Sequence, residues 1–323
     1  MTELTYLEAI RSALVEEMEA DPRVFLIGED IGHFGGAFKV TAGLLERFGP
    51  LRVVDTPIAE ALIVGTAIGA AIRGQRPVVE MQFADFVASG FSQLVHNAAT
   101  FHYRLRVSVP MVVRLPSGGG VGGGPYHSRN PEAWFTHASG LKVVAPATPT
   151  DAKGLMRAAL RDPDPVIFLE QKWLYRREKE DVPDDAFTPI GVARIARPGA
   201  HATVVAYANT VPMALEAARA VEADGFDVEV IDLRSLLPWD WKAVLTSVQK
   251  TGRLLIASEA SRTTGFASEV SATMAELAFT ALDAPIVRVT APDAPVPAEK
   301  NLEAYYRPNA QKIERALRGL LAY

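Results

Sequence analysis

The 323-residue chain contains no cysteine. Disulfides, thiolate metal centres and cysteine nucleophiles are therefore excluded. Its six histidines form no His-x-His and no His-Glu-x-x-His, and none has a carboxylate at ligand spacing, so no protein-only metal site is expected. The Gly-x-Ser-x-Gly elbow of a serine hydrolase is missing as well. No lysine and arginine block stands out, and a net charge of −5 is spread along the chain, which argues against a nucleic-acid partner. No window of about 18 apolar residues is present to span a membrane. Met1 to Asp21 lacks the tripartite pattern of a signal peptide, so cytoplasmic residence is the expectation.

What is present is an ordinary globular composition, 49% apolar and 22% charged. The length exceeds what one hydrophobic core usually serves, which predicts two domains. Thr5-Tyr6-Leu7-Glu8 reads as a capping box that opens a helix with Leu7, Ile10, Leu14 and Met18 on one face. Buried strands are predicted at Val24 to Gly28, Leu51 to Asp55, Pro77 to Phe83, Val109 to Leu115, Lys142 to Ala145 and Pro165 to Glu170. Helices lie between them, one running from Asp85 to about Arg104. This alternation predicts an α/β fold with a mostly parallel sheet flanked by helices. Arg176 to Asp185 is charged and aperiodic, as a linker would be. A second α/β set follows, with strands at Thr203 to Tyr207, Asp227 to Leu233, Arg253 to Ser258 and Ile286 to Val289. The expected domains are residues 1–183 and 184–323.

The most informative segment is Thr56-Pro57-Ile58-Ala59-Glu60. Thr56 reads as an N-cap and Pro57 as the first helical residue, with a small-residue helix continuing from Ala61 to Gly74. Glu60 then sits in a first helical turn beyond the carboxyl end of a strand, where α/β proteins bind small molecules. A carboxylate there can hydrogen-bond a ligand or exchange a proton with it. The plainer reading is a charge that complements the helix dipole, worth about 0.3–1 kcal/mol. Glu80 to Phe86 has the same address, with Gln82 offering a polar contact and Phe86 an aromatic wall or ordinary core packing.

The run Gly118 to Gly124 is glycine except at Val121. No helix follows at once and no Lys-Ser or Lys-Thr closes it, so it is neither a dinucleotide fingerprint nor a Walker loop. It reads either as a flexible loop or as backbone that must pass close to a ligand. His127, directly after it, suits proton transfer near neutral pH; a structural or surface histidine is the alternative.

Together these segments resemble the β subunit of the thiamin-diphosphate-dependent decarboxylase component of 2-oxo acid dehydrogenase complexes. The likeness runs through Gly28 to Gly32 with Gly35 to Phe38, Asp55 to Glu60, Gln82 to Phe86, Gly122 to Phe135, Gly140 to Val144, Asp151 to Leu155, and Asp162 to Glu170 with Leu174 to Arg176. It continues in Asp232 to Leu236 and Lys250 to Arg253. The resemblance implies a pyrimidine-binding domain followed by a transketolase-type C-terminal domain. It implies that Glu60 hydrogen-bonds N1′ of the cofactor's aminopyrimidine and favours the 4′-imino form that takes the thiazolium C2 proton. Ile58, Gln82 and Phe86 match positions lining that ring, and His127 matches the histidine that assists acyl transfer to a lipoyl group.

No Gly-Asp-Gly occurs in the chain, although thiamin enzymes hold Mg2+ and the diphosphate with such a segment. The resemblance therefore implies an α subunit that supplies Mg2+, in an α2β2 heterotetramer docked on a lipoyl acyltransferase core. It also implies a K+ site near Asp162 and Asp164, against which the short stretch Leu105 to Val109 counts. Arg129 stands where the family usually has Gln, a change expected to alter substrate or lipoyl contacts. The substrate is expected to be 2-oxoisovalerate or pyruvate. The alternatives are an acetoin-cleaving or transketolase-like subunit and a catalytically silent regulatory partner, the last opposed by the presence of both Glu60 and His127.

Overall fold

A computed structural model describes residues 1–323. In chain order the strands are β1 (Thr2–Thr5), β2 (Val24–Gly28), β3 (Val53–Asp55), β4 (Arg76–Glu80), β5 (Val112–Ser117), β6 (Lys142–Val144), β7 (Val166–Gln171) and β8 (Lys179–Val182). They continue with β9 (Arg194–Arg197), β10 (Ala202–Ala206), β11 (Val228–Asp232), β12 (Ser235–Leu237), β13 (Leu254–Ser261) and β14 (Val287–Ala291). The first sheet has the order β12-β6-β7-β5-β4-β2-β3 and is parallel except at β12. The second has the order β14-β13-β10-β11-β9, parallel except at β9. The central strands are buried on both faces, which is why their sequences are continuous apolar runs rather than alternating ones.

The helix Tyr6–Ala20 starts with the expected capping box: Thr5 accepts from the Glu8 amide while the Glu8 carboxylate accepts from the Thr5 amide. It packs against the helix Pro149–Arg161 over one face of the first sheet, closing a core of 24 buried residues. The other face belongs to a larger core of 38 buried residues. That core runs from Ile63 and Val113 through to Tyr207, Ile256 and Met274 of the second half, so the two sheets share it. No helix is long and apolar enough to cross a membrane.

Two expectations need correction. The stretch Arg176 to Asp185 is not a plain linker, because Lys179–Val182 pairs antiparallel with Thr2–Thr5. This two-stranded ribbon is largely exposed, so it lacks the apolar alternation by which a strand is read from sequence. The expected helix from Asp85 to Arg104 is a 3-10 segment (Ala84–Gly90), a π-helical segment (Gln93–Ala98) and a short α-helix (Ala99–Leu105). Gly90 brings this chain so close to the helix Glu60–Ile72 that a Cβ there would lie 3.1 Å from the Glu60 carbonyl oxygen. One strand crosses between the halves: β12 comes from the second half of the sequence and pairs with β6 at the edge of the first sheet.

Candidate functional site

The carboxyl ends of β2, β3, β4 and β5 lead into the segments that carry the predicted residues. At β3 the helix begins three residues later than the sequence suggests: Ala59 is the N-cap, without a side-chain cap, and Glu60 is the first helical residue. Thr56 does not cap: its hydroxyl bonds nothing, and its amide donates to the Gly28 carbonyl, which prolongs the pairing between β2 and β3. Pro57 and Ile58 form the connecting loop, where Ile58 is 80% exposed. Glu60 keeps its place in the first turn, half-buried at the positive end of the helix.

A second carboxylate stands behind it. Glu29, one residue past the end of β2, is buried and its Oε1 has no hydrogen-bond partner. Burial first, then the nearby charge of Glu60, raises its pKa above the usual carboxylate range. Its neighbour Asp30 adopts a left-handed φ of 56° and accepts a 2.8 Å hydrogen bond from Gln82 Nε2. Asp55 closes the same loop by accepting from the Gly32 amide at 2.7 Å. Glu29 and Asp30 lie in the run Gly28 to Gly32, to which sequence reasoning assigns no site role; the signal available is their strand-end address, the same as that of Glu60.

The opposite side is aromatic. Phe83 meets His127 edge to face with ring centroids 4.6 Å apart, and Phe86 meets the same imidazole at 5.4 Å. Phe38 extends this wall, 5.3 Å from Phe83. The imidazole is half-buried, and its Nδ1 lies 3.3 Å from the Gly123 carbonyl oxygen. A carbonyl only accepts, so that contact places the proton on Nδ1 and leaves Nε2 as the basic nitrogen. Of the five predicted residues, Phe86 and His127 are in direct contact, Gln82 is tied to Asp30, and Glu60 is near enough for its charge to act on Glu29. Ile58 stands apart on the exposed loop.

Arg129 turns back on its own loop. Its Nε donates to the Pro125 carbonyl at 2.7 Å and lies 3.1 Å from Asp85, whose carboxylate also accepts from the Arg129 amide. It thus staples the His127 turn to the 3-10 segment bearing Phe86. Lys172, buried beside Phe83, has its pKa lowered to about 7 by desolvation, against the pull of Asp85, Glu259 and Glu303.

Beneath the site Arg114 is fully buried between two carboxylates, bonding Glu170 at 2.6 and 2.8 Å and also Glu80, while Tyr175 donates to Glu170. Burial pushes the Glu80 pKa up, opposed by Arg114. Elsewhere, Lys142 binds Asp162 at 2.6 Å, and Asp164 lies 2.6 Å from His102 Nδ1. Nowhere do three ligating side chains gather as a metal would require.

This donor set fits one half of a thiamin cofactor. It offers a half-exposed carboxylate for the aminopyrimidine nitrogen, a buried carboxyl behind it and an aromatic wall with an imidazole. It does not fit the other half, since a magnesium-bound diphosphate needs gathered oxygen ligands.

Comparisons with known proteins give the family. A model described as the transketolase pyrimidine binding domain matches residues 2–178, and one described as the transketolase C-terminal domain matches residues 191–313. The 2-oxoisovalerate dehydrogenase subunit beta of Bacillus subtilis is 47% identical over 327 residues, covering 100% of both chains. The pyruvate dehydrogenase E1 component subunit beta of Leifsonia xyli is 47% identical over 322 residues, 99% of this chain and 95% of that one. A solved split-gene transketolase, an inactive beta4 tetramer, superposes with a TM-score of 0.82 over 99% of this chain and 98% of that one. At 23% identity that likeness concerns the fold alone.

Proposed function

Because the chain belongs to the β-subunit family of the thiamin-diphosphate-dependent decarboxylase component of branched-chain or pyruvate dehydrogenases, we propose that it supplies the aminopyrimidine half of an active site completed by an α subunit. The reading rests on the two carboxylates at the helix start: Glu60 open to a ligand, and Glu29 buried behind it with an unpartnered oxygen. Glu60 hydrogen-bonds the ring nitrogen N1′ and exchanges a proton with it. Gln82, tethered by Asp30, and Phe86 flank the ring, and Ile58 contributes apolar surface that is otherwise exposed. The cofactor, when bound, supplies the nucleophilic carbon that attacks the 2-oxo group and holds the electrons left as carbon dioxide departs. His127, with Nε2 as its basic nitrogen, moves a proton as the acyl group passes to the lipoyl group of an acyltransferase core.

Mg2+ and the diphosphate are assigned to the α subunit. The proposal leaves out K+, because Asp162 and Asp164 already engage Lys142 and His102. An α2β2 assembly is supported by the outer face of the helix Glu60–Ile72. There Leu62 and Ile72 are exposed, and a Cβ on Gly65 or Gly69 would meet nothing within 4 Å, so the face is apolar, smooth and open.

The test is co-expression with the α subunit and comparison of pyruvate, 2-oxoisovalerate and 2-oxoglutarate turnover with thiamin diphosphate and Mg2+. The chain alone is expected to be inactive, and Glu60→Gln to lower decarboxylation by roughly 10²–10³-fold in an assembled heterotetramer. Full activity without a partner would overturn the shared site, and normal turnover by Glu60→Gln would reduce Glu60 to a helix-end charge.

A further inference from the structure

The glycine run before His127 has an unusual backbone. Gly118, Gly120, Gly122 and Gly124 have φ of 80°, 94°, 71° and 67°, in the left-handed region, alternating with residues that are not. Such alternation turns successive amides toward one side and makes a concavity suited to an anion. Here the concavity is filled from within the chain. Glu303, 3% exposed, accepts from the Gly120 amide at 2.9 Å through Oε1 and from the Gly122 amide at 3.0 Å through Oε2. Glu259 at the end of the second sheet takes the Gly119 amide at 2.7 Å, and Arg307 pairs with it at 2.9 Å. The glycines make room for this arrangement: a Cβ on Gly119 would lie 2.9 Å from Glu303 Oε1.

The bound loop leads directly to the imidazole. The His127 amide donates to the Gly124 carbonyl at 3.3 Å, and the Gly123 carbonyl is the partner of Nδ1. A Cβ on Gly123 would lie 2.7 Å from the His127 Cβ, so the ring rests on the loop that Glu303 curves. We propose that Glu303 is a positioning residue for His127: its carboxylate is a built-in anion that sets the curvature of the loop and, through the Gly123 carbonyl, the orientation of the imidazole. The inference rests on the role given to His127 above. One corollary is that this anion cradle is not available to the cofactor's diphosphate.

The test uses the αβ holoenzyme carrying Glu303→Ala, with Glu303→Gln as the milder variant that keeps one acceptor oxygen. Hydrogen exchange at the Gly120 and Gly122 amides, decarboxylation with an artificial electron acceptor and acylation of a lipoyl domain are measured on each. In Glu303→Ala both amides should exchange at least about tenfold faster. Lipoyl acylation should fall by about tenfold or more through kcat, with a smaller loss of decarboxylation and a partial effect in Glu303→Gln. Unchanged amide exchange would overturn the proposal, as would equal losses in both half-reactions, the mark of general destabilisation. His127→Ala separates the two claims: normal acylation there removes the role of His127, whereas the exchange data still report on the Glu303 anchor.

Discussion

Two pairs of carboxylates sit in this molecule under opposite terms. Glu259 and Glu303 use all four of their oxygens on amides, side-chain donors and Arg307, although both are buried. Burial disfavours the charge of Glu259, yet Arg307 and the donors of Gly119 and Asn209 hold its pKa below the usual range. Glu60 is half-buried with capacity to spare, and the buried oxygen of Glu29 bonds nothing. A buried polar group without a partner costs on the order of 1–3 kcal/mol, and a ligand can recover it. The satisfied pair builds the loop, and the open pair keeps acceptor capacity that a ligand could use.

The comparison can be broken in graded ways. The most disruptive change removes a cation from a fully satisfied set: Arg114→Met leaves Glu80 and Glu170 buried without their counter-charge. It should cost about 3–5 kcal/mol, read as a lower denaturation midpoint at unchanged slope. Next comes the open pair, where Glu60→Gln should remove about 3–4 kcal/mol of transition-state stabilisation while leaving the denaturation midpoint nearly unmoved. A midpoint shift as large as that of Arg114→Met would erase the distinction between the two kinds of carboxylate.

Glu132 is a third kind, a buried acid that holds its proton to higher pH than an ordinary carboxylate. Desolvation raises its pKa from 4.5 to about 7, against the hydrogen bond from Tyr207. A raised folded pKa means stability that is complete below pH 4.5 and lost as pH rises toward 7, because the unfolded chain ionises first. The expected loss is about 3 kcal/mol over that window. Glu132→Gln keeps an acceptor for Tyr207 and should flatten this part of the pH–stability curve, measured by chemical denaturation at successive pH values. The smallest effect is expected at Gly118, where φ is 80° and a Cβ would lie 1.7 Å from Gln171 Oε1. Gln171 is held by Asn130 and Asn209, so Gly118→Ala should cost roughly 1–3 kcal/mol. A neutral result would show that this cluster yields easily.

The sequence made legible what neighbours in the chain decide. The buried parallel strands announced themselves as apolar runs, and the Thr5 cap by its spacing to Glu8. Glu60 was legible by address even though its helix starts at Glu60 and not at Pro57, since either start leaves it in the first turn. What distant contacts decide was not legible. Glu303 binds Gly120 across 183 positions, and nothing in Asn301-Leu302-Glu303 marks it. From sequence the glycine run reads as either a flexible loop or backbone passing close to a ligand. The approach is real, but the neighbours are Glu303, Arg307, Trp173 and Gln171 of the same chain. Arg129 is expected from sequence to alter substrate or lipoyl contacts; that Pro125 and Asp85 hold it against its own loop is a matter of contacts the sequence does not show. Lys179–Val182 was hidden by its charges, because an exposed ribbon needs no apolar face.

The strand β12 has a consequence for where this chain can be divided. Ser235–Leu237 closes the edge of the first sheet by pairing with β6, and the larger hydrophobic core is lined from both halves. A fragment ending at Val182 would bare the polar edge of β6 and a broad apolar wall together, the two surfaces through which unfolded chains recruit one another. Its natural fate is association with itself. The two halves are thus distinct as patterns of strands and helices but a single object for expression, truncation and domain exchange, and a graft that respects the linker in sequence must still carry those three residues with the first half.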